Sequence, residues 1–136
     1  MILLYRGPRN VDELACIIAN KTAGGKTRSI NPTKPSDDEM KKYAPIKATR
    51  GECMPPEAND HIETEFTEYT SDINKAIEFG RRLVHQVYQG RTITNSVVVC
   101  IEIDENYVTA FDNDFLEKGY LIRSDTPFNR CQIYGS

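Results

Sequence analysis

A cluster of hydroxyl side chains stands where a predicted strand turns into a predicted helix. Residues 65–80 read EFTEYTSDINKAIEFG, so that β-forming residues lead directly into Thr70 and Ser71. Asp72 follows at the position expected for a helix N-cap. A junction of this kind presents hydroxyl groups and helix N–H groups to a polar ligand. A purely structural interpretation also exists, in which Ser71 or Asp72 only caps the helix.

A second candidate group lies near the amino terminus. The apolar residues 2–5 are followed directly by Arg6 and Gly7. A guanidinium group at a strand end is often simply exposed, but its planar fork can also bind a phosphate or diphosphate through two hydrogen bonds. Together with the 65–80 junction, it predicts an arginine and a hydroxyl cluster side by side in one cleft.

The predicted strands and helices that carry these groups follow one another along the chain in a mixed order. The predicted strands cover residues 2–5, 62–70, 97–101, 107–111, 120–122 and 131–134. One helix is predicted to begin after Asn10, with Glu13 completing a box-like start, and to stop at Gly24 and Gly25. A second is predicted to run from the Asp72 cap to Gly90. This order favours a single α+β domain over residues 1–136.

Residues 22–62 separate the first helix from the second strand. The segment is polar and carries five of the seven prolines, with a short helix expected after Ser36. We interpret it as a lid or specificity loop over a cleft. Its start, residues 24–27, reads GGKT, but a phosphate-binding loop is not favoured because Asn20 replaces the leading glycine and a helix precedes the segment.

Composition excludes several classes of function. The net charge of −3 predicts no bulk attraction to nucleic acid or to an anionic membrane. The longest apolar run, residues 96–103, is too short to span a bilayer. Four scattered cysteines and two histidines have no metal-site spacing, so free thiols and no structural metal are expected.

The ordered motifs resemble the arginine–serine–glutamate class of mono-ADP-ribosyltransferases. Residues 4–7 (LYRG) are similar to the first motif of that class, and residues 66–72 (FTEYTSD), followed by Ala76 and Phe79, are similar to the second. The resemblance implies an ADP-ribosyltransferase-like split β-sheet flanked by helices, with an NAD cleft between its halves. It also implies transfer of ADP-ribose from NAD, as co-substrate, to a side chain of a target protein, with release of nicotinamide.

The resemblance further implies a set of NAD-binding residues. Arg6 would hold the phosphate or ribose side of NAD, Thr70 and Ser71 would support Arg6 and line the nicotinamide pocket, and Tyr69 would stack on nicotinamide. An alignment on the apolar positions places Glu68 at the first hydroxyl position instead. The implied cofactor-binding set is Tyr5, Arg6, Gly7, Glu68, Tyr69, Thr70, Ser71 and Phe79.

The third motif is where this chain departs from the family. Gln132 stands in the last predicted strand, where the family has a catalytic glutamate. A carboxylate is required there because the transition state of glycosidic cleavage is oxocarbenium-like. Three alternatives follow: Gln132 replaces the glutamate and weakens turnover, Glu117 or Asp125 supplies the charge, or the chain ends before the real motif. The implied catalytic residues are Gln132 and Arg6.

The expected partners are NAD and a protein acceptor, with ubiquitin as a candidate through the effector group that modifies its threonine. Nucleic acid and membrane are not expected partners. The resemblance implies a secreted bacterial effector acting in a host cytoplasm, or a cytoplasmic protein. The competing functions are an impaired NAD- or protein-binding module of the same fold and an NAD glycohydrolase.

Overall fold

A computed structural model describes residues 1–41, 65–112 and 118–135 of the chain. Its strands are β1 (Ile2–Arg6), β2 (Phe66–Thr70), β3 (Val87–Tyr88), β4 (Arg91–Thr92), β5 (Val98–Ile103), β6 (Val108–Asp112), β7 (Lys118–Arg123) and β8 (Arg130–Tyr134). Its helices include α1 (Val11–Asn20) and α2 (Ile73–Gly80), with short 3-10 helices at Arg81–Leu83 and Glu105–Tyr107. The predicted α+β class is confirmed. The ends of the predicted strands lie within two residues of those observed, except that β2 begins at Phe66 instead of residue 62.

Six strands form one antiparallel sheet, in the order β6-β7-β2-β1-β5-β8. Each neighbouring pair is aligned over five residue pairs, except the central pair of β1 and β2. That pair is aligned only through Tyr5 and Thr70, which lie at the carboxyl ends of their strands. Two three-stranded halves, β1-β5-β8 and β6-β7-β2, are therefore joined by a single residue pair.

The main core lies on one face of this sheet, beneath α1. Leu4, Tyr69, Val99, Ile101 and Ile122 pack there with Leu14 and Ile17 of the helix. Burial of these side chains supplies the main driving force for folding. A smaller cluster of Phe66 and Leu121, covered by Met40, lies on the sheet outside this core.

Helix α1 begins as the sequence predicts. The Asn10 side chain accepts a hydrogen bond from the Glu13 N–H at 2.8 Å, which satisfies one of the free donors of the first turn. The helix ends at Asn20, four residues before Gly24, because Lys21 takes a left-handed conformation with φ 55°.

The predicted extent of the second helix was wrong. Helix α2 ends at Gly80, and the chain continues through a 3-10 turn into a β3–β4 hairpin instead of running to Gly90. At Gly80 the backbone lies against Val97, where a side chain would collide. Gln89 and Gly90 have φ 52° and 78°, the left-handed pair that a two-residue hairpin turn requires.

Residues 22–29 of the proposed lid segment run along residues 124–127. The N–H groups of Ala23, Gly24 and Ser29 donate to the carbonyls of residues 126, 124 and 125 at 2.9–3.0 Å. The expected short helix is present at residues 37–41, with Ser36 and Glu39 exchanging capping hydrogen bonds. Residues 42–62 of the proposed lid lie outside the described residues.

Candidate functional site

Three of the predicted site residues lie in one row across the sheet. Gln132 of β8 pairs with Cys100 of β5, Cys100 with Tyr5 of β1, and Tyr5 with Thr70 of β2. Directly paired residues of antiparallel strands point to the same face. With strands about 4.8 Å apart, Gln132 lies about 10 Å from Tyr5 along this row. Tyr5, Thr70 and Gln132 therefore share one face, which we call the outer face because α1 covers the other.

Arg6 points to the core side of the sheet. Its Nε donates to Glu13 Oε1 at 2.5 Å, and its Nη1 donates to the carbonyl oxygen of Glu68 at 2.9 Å. The arginine side chain is only 11% exposed. Arg6 thus connects β1, α1 and β2 at the point where the two halves of the sheet meet.

Glu13 is the buried counter-charge of this cluster. Its second oxygen accepts a hydrogen bond from the Arg9 backbone N–H at 3.0 Å and lies 3.8 Å from Arg9 Nε. Burial raises the pKa of the Glu13 carboxyl, but the charge and hydrogen bond of Arg6, with the contacts of Arg9, outweigh burial and lower it below 4.5. The carboxylate is therefore ionised at neutral pH and fixes the position of Arg6.

Strand β2 alternates its side chains between the two faces. Thr67 and Tyr69 point inward, and Tyr69 donates its hydroxyl to the Ala23 carbonyl at 2.7 Å. Burial raises the pKa of Tyr69, so the hydroxyl stays protonated. Glu68 and Thr70 are half-buried and belong to the outer face. The structure therefore brings Glu68 and Thr70 together with Tyr5 and separates Tyr69, the predicted stacking residue, from them.

The turn from β2 into α2 is capped as predicted. Asp72 accepts a hydrogen bond from Asn74 N–H at 2.9 Å, and the Thr70 hydroxyl accepts one from Asp72 N–H at 3.0 Å. Ser71 is exposed beside them. The hydroxyl of Thr70 therefore has a structural role, while Ser71 is accessible to a ligand.

Gly7 and Phe79 lie where α2 packs against the end of β1. Gly7 is buried against the backbone of residues 76–80, which leaves no room for a side chain. Phe79 is 55% exposed, with the Arg82 guanidinium 5.6 Å from the centre of its ring. Arg82 Nη2 donates to the Gly7 carbonyl at 2.7 Å, a contact that the predicted continuous helix gave no reason to expect.

A shallow pocket of about 410 Å³ opens at the other end of the row, around Gln132. It is lined by Leu3, Cys100, Glu102, Arg130, Cys131 and Gln132. Gln132 is exposed, and its side-chain oxygen accepts a hydrogen bond from the Tyr134 hydroxyl at 2.8 Å. Burial raises the pKa of the Cys100 thiol and raises that of Cys131 to about 11, so both are neutral at pH 7.

Glu102 is a polar residue of this pocket that the sequence pattern did not single out. It stands in the apolar run of β5, and the one signal was its position two residues from Cys100, on the same face of the strand. Its carboxylate is the single acidic group among the described residues that line the pocket.

Asp125, one of the two carboxylates considered from the sequence, does not line this pocket. Asp125 lines a separate cavity of about 480 Å³, with Lys26, Thr27, Glu65, Arg123 and Ser124. In the same region the N–H groups of Gly24 and Lys26 donate to the Ser124 carbonyl, so this loop does not present them to a phosphate. Glu117 lies outside the described residues.

Comparisons with protein-family models, with curated proteins and with solved structures give no match to this chain. Across the described ranges no helix combines the length and apolar character needed to cross a bilayer. The same ranges contain no group of three or more His, Cys, Asp or Glu side chains that could hold a metal ion. The observed fold is an α+β domain with a six-stranded antiparallel sheet and a small hairpin.

Proposed function

We propose that this chain is an NAD-dependent mono-ADP-ribosyltransferase domain that transfers ADP-ribose to a protein side chain. The observation that carries the proposal is the single pairing of Tyr5 with Thr70. It joins the first and second motifs at the carboxyl ends of β1 and β2, directly before the capped start of α2. A sheet whose halves meet at one residue pair is the arrangement expected for a cleft between two half-sheets.

The residues of the junction suit a polar, partly charged ligand. Tyr5, Glu68 and Thr70 lie on the outer face, and Ser71 is exposed at the turn. Arg6 stabilises this junction from the core side of the sheet. It donates a hydrogen bond to the Glu68 carbonyl and is itself paired with the Glu13 carboxylate. In the proposed complex the hydroxyls contact a ribose of NAD, and Arg6 holds the strand that carries Glu68 and Thr70 in place.

A catalytically impaired NAD-binding module is the second candidate function. Gln132 favours it, because a neutral amide can hydrogen-bond a ribose hydroxyl but cannot balance the positive charge that develops at the anomeric carbon. The hydrogen bond from Tyr134 to Gln132 also occupies the amide oxygen.

Incubation of the protein with NAD labelled on its adenylate separates these functions. Label on an added protein, with ubiquitin as the first acceptor tested, is the result expected of a transferase. Nicotinamide release without labelled protein indicates a glycohydrolase, and calorimetric binding without release indicates a binding module. Absence of NAD binding contradicts all three.

The matched variants for this experiment are Thr70→Val and Thr92→Val. Thr70 lies at the junction, whereas Thr92 is exposed in the β3–β4 hairpin. We expect Thr70→Val to weaken NAD binding and Thr92→Val to leave it unchanged. Arg6→Ala is a poor test, because it leaves the Glu13 carboxylate buried without its partner. The expectation that the protein is a secreted effector acting in a host cytoplasm stays a prediction.

A further inference from the structure

The pocket around Gln132 contains two side chains of opposite charge, those of Glu102 and Arg130. Glu102 and Arg130 are direct partners across β5 and β8, so both side chains leave the same face of the sheet. Within the described part of the chain, neither side chain forms an ion pair or a hydrogen bond with another side chain. Both charged groups are therefore available to a ligand in the pocket.

Glu102 also has a well-fixed backbone. β5 is paired on both sides, with β1 and with β8, and the Glu102 carbonyl accepts the Asn129 N–H at 2.8 Å. A carboxylate on the inner strand of a sheet is held more firmly than one on a loop. Gln132 is the diagonal neighbour of Glu102 on β8. Diagonal neighbours on paired strands are about 7–8 Å apart, a distance that one sugar ring can bridge.

We infer that Glu102 is the carboxylate that stabilises the transition state in this pocket, with Gln132 binding a ribose hydroxyl. This inference rests on the proposed function. Beside Glu102, the Arg130 guanidinium provides a cation, and the partly exposed Leu3 provides an apolar wall. The ligand that matches a free carboxylate and a free guanidinium is one that carries both a cation and an anion, as the nicotinamide and diphosphate of NAD do.

The reaction balances without any further co-reactant. The bond between the nicotinamide nitrogen and ribose C1′ breaks, and its electron pair passes to the nitrogen, so that nicotinamide leaves as a neutral molecule. The oxocarbenium-like C1′ is stabilised by the Glu102 carboxylate. The oxygen of an acceptor hydroxyl, or of water, then forms the new bond to C1′, and its proton passes to solvent.

The test compares Glu102→Gln with Glu105→Gln. The second variant removes an exposed carboxylate from the 3-10 helix after β5, outside the pocket. Nicotinamide release is measured in single-turnover reactions, NAD affinity by calorimetry, and folding by thermal unfolding. We expect Glu102→Gln to slow release about a hundredfold or more while NAD affinity changes little, and Glu105→Gln to match the wild type. Glu102→Asp is expected to retain part of the rate.

Two outcomes overturn the inference and leave NAD recognition standing. One is a Glu102→Gln variant that binds NAD and releases nicotinamide at the wild-type rate, and the other is a wild type that binds NAD without releasing nicotinamide. A wild type that does not bind NAD contradicts the proposed function and the inference together.

Discussion

Arg6 has a structural role at a position where the resemblance implied direct binding of NAD. Its contacts with Glu13 and with the Glu68 carbonyl hold α1 and both half-sheets together. The side chain that was expected to bind NAD directly is therefore almost wholly buried, and its position depends on a carboxylate from another element. Removing one partner of a buried ion pair destabilises the fold strongly, because the remaining charge is left in a poorly solvated site.

Replacement of Glu13 by Gln should expose this dependence. We expect a loss of about 3 kcal/mol in the free energy of unfolding at pH 7, since Arg6 keeps a hydrogen-bond acceptor but loses its counter-charge. Chemical denaturation measures the loss. Asp12→Asn, which changes an exposed carboxylate in the same helical turn, should cost less than about 1 kcal/mol.

The effect of Glu13→Gln should also depend on pH. The folded-state pKa of Glu13 is lowered below 4.5, so the stability that its charge provides is present above that value and is lost as the pH falls through the folded-state pKa. The difference between wild type and Glu13→Gln should therefore shrink below about pH 4.5. A difference that stays constant on acidification would contradict the ion pair.

At the scale of elements, α2 is packed by its backbone onto the end of β1. Gly7 lies against backbone atoms of residues 76–80, and Gly80 lies against Val97. This close approach brings the capped turn at Asp72 beside the carboxyl end of β1. It also ends the helix, which explains why the apolar pattern after Gly80 belongs to a 3-10 turn and a hairpin instead of a longer helix.

Gly7→Ala should therefore be strongly destabilising. We expect a loss of about 3 kcal/mol or more, because the added methyl group meets backbone atoms that cannot move independently of α2. Gly90→Ala is the control variant, because the added methyl group would meet no atoms there. We expect it to lower the free energy of unfolding by about 1–2 kcal/mol, the cost of a left-handed conformation at φ 78° for alanine. Equal losses in thermal unfolding of the two variants would mean that the backbones of α2 and β1 are not in contact.

At the scale of the whole molecule, local sequence patterns predict the parts of the site better than their arrangement. The Asn10 and Asp72 caps, the Ser36 box and the buried β5 strand follow from short-range rules. The single pairing of β1 with β2 does not, because strand register depends on residues 65 positions apart. Glu102 was missed for the same reason: only the pairing of β5 with β8 brings it beside Gln132.

The sequence also did not predict which side chains of β2 point into the core. The alternation of residues 66–70 was visible in the sequence, but not which set points inward. Burial of Tyr69 on the core side, with its hydroxyl bound to Ala23, decides the question in the structure. Glu68 and Thr70 are consequently the β2 side chains that face the proposed ligand.

An NAD site at the junction of β1 and β2 is tested by titrating the isotope-labelled protein with NAD and following the amide chemical shifts. We expect saturable shifts that cluster at residues 5–7 and 70–74, with a second group around Cys100, Glu102 and Gln132. Shifts confined to the cavity lined by Lys26 and Asp125, or no shifts at millimolar NAD, would contradict an NAD site at the junction of β1 and β2.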